Sequence, residues 1–205
     1  MSKIAANKEK ISLKGSAKLI VEFFECGINS IFYQRNIYPP EDFSMTKKYG
    51  LNFLITNDHR ITVYLKKVLT QIESWLQEGQ IKKLVLAIIS QDTRETLERW
   101  EFDVHVVKNG KEDVIATKEK TEKEIKQEIQ AVIRQIVSSV TFLPIYDEAR
   151  TFNILAYTDK DVEVPNDWGD SHPHLIKEAE LVKLLSFSSD YHKVDSMVAY
   201  RLNND

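Results

Sequence analysis

Any chemistry in this chain has to come from few residues. Histidine stands at His59, His105, His172, His174 and His192, and Cys26 is the single cysteine. His172-Pro173-His174 could in principle chelate a metal, because imidazole nitrogens bind zinc and its neighbours. The pair sits in a polar stretch with no cysteine near it, so no ligand set forms around it. Cys26 lies among Phe23, Phe24 and Ile28, a setting that suits a small core residue better than a nucleophile. Asp159/Asp161 and Glu178/Glu180 have the right type for acid–base work. Without a positioned base beside them they read as solvated charge. Glycine-rich phosphate loops, G-x-S-x-G and H-E-x-x-H are all missing. The expectation is a protein that binds rather than catalyses, with no cofactor and no metal site.

Three helices stand out as the frame. The first follows Gly15-Ser16, with Ser16 as its expected N-cap, and runs to about Tyr33 with apolar residues around much of its circumference. Pro39-Pro40 stops it from continuing. The second opens at Asn57 or Asp58 and stops at Gly79. Ile61, Tyr64, Leu65, Val68, Leu69, Ile72, Trp75 and Leu76 form its apolar stripe. The third starts on the capping-box pattern Thr121-Glu122-Lys123-Glu124 and runs to about Val140.

Strands are as legible. Leu84–Ser90 reads as a buried strand. Trp100, Phe102, Val104 and Val106 alternate with Glu101, Asp103 and His105, which predicts a strand with one wet face. The short polar link between these runs makes them an antiparallel hairpin. Thr151–Tyr157 is a further strand: Phe152, Ile154 and Ala156 face one way, and Thr151, Asn153, Leu155 and Tyr157 the other. After a loop-rich stretch, about Val182–Ser188 and Val194–Leu202 close the chain as a hairpin. Val194, Ser196, Val198 and Tyr200 share one of its faces, with Met197 and Ala199 on the other. The segment between the first two helices has no clear assignment. The fold class is α+β, three helices on one mostly antiparallel sheet, in a single domain over 1–205.

Composition narrows the function classes. With 42% hydrophobic residues, six Gly and five Pro, disorder and low-complexity assembly are excluded. At 205 residues the chain buries about 70% of its unfolded surface without disulfide staples. A net charge of −3 argues against a dedicated nucleic-acid binder. No apolar run approaches a membrane span, and the first residues lack the apolar core of a signal peptide. Lone Cys26 points to a reducing compartment. Lysines gather at residues 1–14 and carboxylates at 159–180, which read as solvated regions or as an acidic segment that meets a basic partner. The unusual part is the tail beyond residue 158, which follows a complete-looking core. A strand at a sheet edge must be paired, covered or defended, and a mobile tail could cover or uncover one.

The residues also carry a resemblance. Gly15-Ser16, Glu22-Phe23-Phe24, Gly27-Ile28-Asn29-Ser30-Ile31, Tyr33-Gln34-Arg35 and Ile37-Tyr38-Pro39 open it. Lys47-Lys48-Tyr49-Gly50-Leu51, Leu97-Glu98-Arg99-Trp100, Ile133-Arg134-Gln135-Ile136 and Thr141-Phe142-Leu143-Pro144 follow in order. The tail adds Tyr157-Thr158-Asp159-Lys160-Asp161, Val164-Pro165, Trp168, His192-Lys193-Val194 and Ser196-Met197-Val198-Ala199-Tyr200. Over essentially its whole length the chain resembles the HORMA-domain spindle checkpoint family.

That resemblance implies a core over about 12–157 and a C-terminal "safety belt" over about 158–205 that repacks between open and closed forms. In the closed form the belt wraps a short peptide that pairs with Thr151, Phe152, Asn153, Ile154, Leu155, Ala156 and Tyr157. Val194, Met197, Val198 and Tyr200 fall in the belt. The implied role is an adaptor that delays anaphase by sequestering the activator of the anaphase-promoting complex. The other implied partners are a coiled-coil kinetochore anchor, a kinase-like checkpoint subunit and a second copy in the other conformation. The implied location is nucleus and cytoplasm, with kinetochores in mitosis. Arg35, Arg134, Gln135 and Phe142 are the implied dimerisation positions, and exchanging Arg134 and Gln135 is expected to spare peptide binding. One departure stands out: Leu185 occupies a place where family members can carry a basic residue. The alternative within the fold is a sibling adaptor, such as a translesion polymerase accessory subunit or a meiotic chromosome-axis protein.

Overall fold

The structure is a computed structural model that describes residues 11–107 and 120–202. The lysine-rich start therefore lies mostly outside the described residues. Helix α1 spans Leu13–Gln34, α2 His59–Gln77 and α3 Glu122–Ser138, the last followed by a 3-10 turn over Ser139–Thr141. Their starts follow from side-chain caps. Asp58 accepts from the backbone N–H of Arg60 and Ile61, and Thr121 with Glu124 forms the reciprocal capping box. At α1 the cap is Ser12, which accepts from Gly15 N at 3.0 Å. Ser16, the expected cap, instead points inward and is buried. Gly79 ends α2 with φ of 67°, the left-handed conformation that a glycine adopts without strain.

Between α1 and α2 the unassigned segment is a hairpin, β1 (Phe43–Lys48) with β2 (Leu51–Thr56). Its two-residue turn, Tyr49-Gly50, takes positive φ at both positions (52° and 70°), the geometry that matches strand twist in tight hairpins. Gln130 of α3 donates to the Tyr49 carbonyl and ties the turn down.

Strands β3 (Ile81–Ser90), β4 (Thr96–Val106), β5 (Arg150–Thr158), β6 (Glu180–Lys183), β7 (Phe187–Ser188) and β8 (His192–Tyr200) form the main sheet. Its order is β5-β3-β4-β8-β6, with β7 also on β8, and every described pairing is antiparallel. The helices cover one face. Phe23 and Phe24 of α1 meet Phe102 of β4 at 5.5 and 5.6 Å between ring centroids, and Phe187 reaches Phe23 at 4.8 Å. Fully burying one such ring stabilises by about 1.5–3 kcal/mol.

The other face of β4 is wet only toward its end, where Asp103 is half-buried and His105 exposed as the alternation predicts. Earlier on that face Arg99 and Glu101 are buried, ion-paired to each other, and Lys83 of β3 bonds Glu101 at 2.6 Å. Alternation of charge with apolar residues marks which side of a strand a residue occupies. It does not reveal whether a loop will cover that side.

Candidate functional site

Strand β5 is the end strand of the sheet. Among the described residues it pairs only with β3, in register from Ser90↔Arg150 to Ile81↔Thr158. Its opposite edge therefore has no strand partner, and such an edge is a template for a further strand. Alternation along β5 is as the sequence predicts. Phe152 faces the helices, 4.5 Å from Phe32 and 6.0 Å from Tyr64 between centroids, and Ile154 and Ala156 join the same core. Leu155 and Tyr157 pack on the opposite face with Val85, Ala87 and Ile89. Thr151, Asn153 and Tyr157 lie half-buried.

The chain after β5 straddles this edge. Asp159 N donates to Gln80 O at 3.1 Å, and the segment then runs along the helical side. There Asp167 pairs with Lys67, and Trp168 packs edge-on against Trp75 of α2 at 5.0 Å. A groove of about 530 Å³ separates α2 from this segment, bordered by Val63, Lys66, Thr70, Pro165 and Trp168. A few residues later the chain is on the opposite face. Asn153 Nδ2 donates to Ser171 Oγ at 3.0 Å and lies 3.2 Å from His174 Nε2. His174 Nδ1 is 3.2 Å from Thr96 Oγ1, and Arg99 Nε donates to Pro173 O at 3.2 Å. Because Nε2 accepts from Asn153, the neutral ring carries its proton on Nδ1. Burial, His172 and Arg99 all hold the His174 pKa below its usual value, which favours that neutral form. Gly169 and Asp170 thus turn around the free edge, and the segment forms a strap over β5.

The strap ends in the β6–β8 hairpin, which docks beside β4, away from β5. Val194 and Val198 of β8 are fully buried in the core, Met197 and Tyr200 half-buried. The hairpin is secured by a buried polar knot. His192 Nδ1 is 2.8 Å from Ser16 Oγ, Ser16 Oγ is 2.6 Å from Ser189 Oγ, and His192 Nε2 is 3.1 Å from Leu76 O. The carbonyl can only accept, so Nε2 carries the proton and Nδ1 accepts from Ser16. Burial pushes the His192 pKa down, and the ring is neutral. Ser16 is buried because it joins α1 to the tail, a long-range contact that no local pattern encodes.

The implied dimerisation residues divide. Arg134 is exposed and borders a groove of about 340 Å³ between α1, β2 and α3. Phe142 is 41% exposed, with its ring 6.5 Å from Tyr200. Gln135 is half-buried and accepts from Leu185 N at 2.6 Å. Arg35, by contrast, is only 6% exposed. It pairs with Glu98, donates to Pro144 O at 2.5 Å and lies over the Tyr146 ring at 5.7 Å. Arg35 is a buried structural cation and presents no surface of its own. Cys26 is in the core with its thiol pushed up to about 12, mainly by burial, as the apolar context predicts.

A layer of helices on an antiparallel sheet, with a C-terminal strap across the sheet's free edge, defines the class. The HORMA domain model matches residues 16–192, and the chain belongs to the HORMA-domain family, in its MAD2 spindle assembly checkpoint branch. It is 50% identical over 207 residues to the mitotic spindle assembly checkpoint protein MAD2A of Dictyostelium discoideum, covering 100% of both chains. It is 46% identical to MAD2A of Homo sapiens, covering 96% of each. A MAD2B from Danio rerio is 23% identical, covering 89% of each chain, so the comparisons favour the checkpoint branch over a sibling adaptor. A chain in the crystal structure of the mitotic checkpoint complex superposes with a TM-score of 0.83 at 48% identity, covering 92% of this chain and 99% of that one. HTP-1 of C. elegans bound to HTP-3 motif-1 superposes with a TM-score of 0.78 at 14% identity, over 94% of this chain and 93% of that one, and shares the fold.

Proposed function

We propose that the strapped edge of β5 receives an extended peptide from the anaphase-promoting-complex activator or from a coiled-coil kinetochore anchor. The peptide adds as a strand along residues 151–157, and the strap closes over it. The chain is then an adaptor rather than an enzyme, acting in mitosis in nucleus and cytoplasm and at kinetochores. One observation carries this reading: the free edge of β5 is crossed by the strap and filled by no strand of this chain among the described residues. The tail crosses the β5 edge as a strap and its hairpin docks beside β4, which supports reading this arrangement as the closed form.

The energetics suit an adaptor that holds its partner by slow release. Each backbone hydrogen bond along the edge contributes only about 1 kcal/mol net. A strap that must open before the peptide leaves adds its effect to the off-rate. The second copy and the kinase-like checkpoint subunit meet the surface around Arg134, Gln135 and Phe142, which adjoins the belt but lies apart from the β5 edge. Amide exchange tests the peptide site. Adding an activator peptide slows exchange within Arg150–Thr158 far more than in β1 and β2. Unchanged exchange in β5 with peptide bound refutes strand addition there.

A further inference from the structure

We infer that Gln135 and Glu128 of α3 are positioning residues that clamp the belt hairpin in this arrangement, and so govern how slowly a strapped peptide escapes. The inference rests on the strap reading above. The tail hairpin is not a continuous ladder: β6 ends at Lys183 and β7 resumes at Phe187. Leu184 N still bonds Ser196 O at 2.9 Å, but at Leu185 the chain leaves β8. Its N–H turns to Gln135 Oε1 at 2.6 Å. Three residues on, Ser188 is in register with Lys193, yet its N–H points to the other side and donates to Glu128 Oε2 at 3.1 Å. Lys120 Nζ bonds both Glu128 and Ser188 Oγ at 2.7 Å and orients the carboxylate.

Glu128 and Gln135 are seven residues apart, two turns along one face of α3. Together they supply side-chain acceptors where the hairpin's own ladder fails. Between these two points Phe187 drops into the core at 3% exposure, and the clamp sets the break that lets it do so. Gln135 thus belongs to the belt's docking, whereas its exposed neighbour Arg134 is free of it. The two residues are adjacent in sequence but separate in role. Exchanging them together cannot isolate self-association from peptide retention.

The test uses the full chain and a fluorescent activator peptide, with release followed after adding excess unlabelled peptide. Gln135→Ala speeds release about threefold to tenfold, the range for losing one neutral hydrogen bond. Gln135→Glu keeps an accepting oxygen and restores release to within twofold of the parent chain. Glu128→Ala is the second variant, with the same acceleration expected should Gln135→Ala prove poorly folded. Parental release rates from both alanine variants overturn the clamp, and so does a Gln135→Glu chain as fast as Gln135→Ala. A parent chain that never retains the peptide overturns the strap reading, and the clamp with it.

Discussion

Replacing Arg35 by alanine separates a buried structural role from a contact role. The guanidinium is held between the Glu98 carboxylate and the Pro144 carbonyl, with Tyr146 stacked beside it, and Glu98 is 0% exposed. Trp100 Nε1 donates to the other Glu98 oxygen at 3.0 Å. Burial pushes the Glu98 carboxyl up, while Arg35 and the indole N–H oppose that shift. Removing Arg35 leaves a buried carboxyl with no cation in contact and strands the Pro144 carbonyl as well. Breaking a buried pair in this way costs about 3–5 kcal/mol. In a domain of this size each kcal/mol moves the melt by about 2–4 °C, so Arg35→Ala should melt about 6–20 °C lower.

Thermal melting and sedimentation at several concentrations form the assay. Arg134→Glu is the contrasting variant: it changes an exposed side chain, melts within about 0.5 kcal/mol of the parent and self-associates less. Glu98→Ala should cost about as much as Arg35→Ala, and the two losses should not add, because both remove one interaction. An Arg35→Ala chain that melts like the parent but fails to self-associate refutes the structural assignment.

Two further outcomes follow from the belt's attachment. His192 must be neutral to accept from Ser16, and its folded-state pKa is lowered, so the unfolded chain binds its proton more readily; stability is complete above about pH 6.5 and falls below it, by at most ~1.4 kcal/mol per unit, until the folded ring also titrates. Melts from pH 7.5 to 5.5 check this, with a shallower slope expected for His192→Gln and an identical slope counting against it. Deleting Ser196–Asp205 removes all the β6–β8 pairing and the β8 partners of Glu98 to Phe102, so the truncated chain should melt lower but cooperatively and release peptide rapidly. Loss of any cooperative melt would mean that β8 is a fixed core strand.

Much of this frame was legible because it is local or periodic. The stripes of α2 and α3, the Asp58 and Thr121 caps and the alternation of Phe152, Ile154 and Ala156 all depend on residues a few positions apart. The β1–β2 hairpin escaped because its exposed strand, Phe43–Lys48, buries only its first residue. Its signal was the Tyr49-Gly50 turn, which sat inside a stretch with no alternating pattern. Ser16, His192, Arg35 and Glu98 escaped for another reason. Their partners lie 63 to 176 positions away, so a polar residue within an apolar helix or strand looks like surface until the fold brings its partner. Family resemblance is what proposes the peptide strand and the belt, which the residues alone do not reveal, and it also placed Arg35 among contact residues although the fold buries it.

The two ends of the tail are held with unequal strength, and that inequality sets the route by which a peptide could enter or leave. The hairpin end pairs with β4 over nine residues and buries Val194, Val198 and Phe187 in the core. The strap over 159–179 has no helix or strand, and its contacts are few and mostly polar: the Trp168–Trp75 ring pair, the ion pairs of Asp159 with Lys82 and Asp167 with Lys67, the Asp159 bond to Gln80, and the bonds that join Asn153, Thr96 and Arg99 to Ser171, His174 and Pro173. Exposed ion pairs contribute about 1 kcal/mol or less, and the neutral hydrogen bonds about 1 kcal/mol each. Segments with few buried contacts open at a small fraction of the global unfolding free energy. The strap therefore opens before the hairpin undocks. Peptide exchange begins with strap opening and is slowed by the hairpin that anchors the strap's far end, whereas conversion to a differently packed tail must also break the Ser16–His192 knot and the β4–β8 ladder. Release then depends on both ends of the tail, through the strap contacts at Trp168 and His174 and through the hairpin anchor at Gln135, whereas changes at His192 act on conversion.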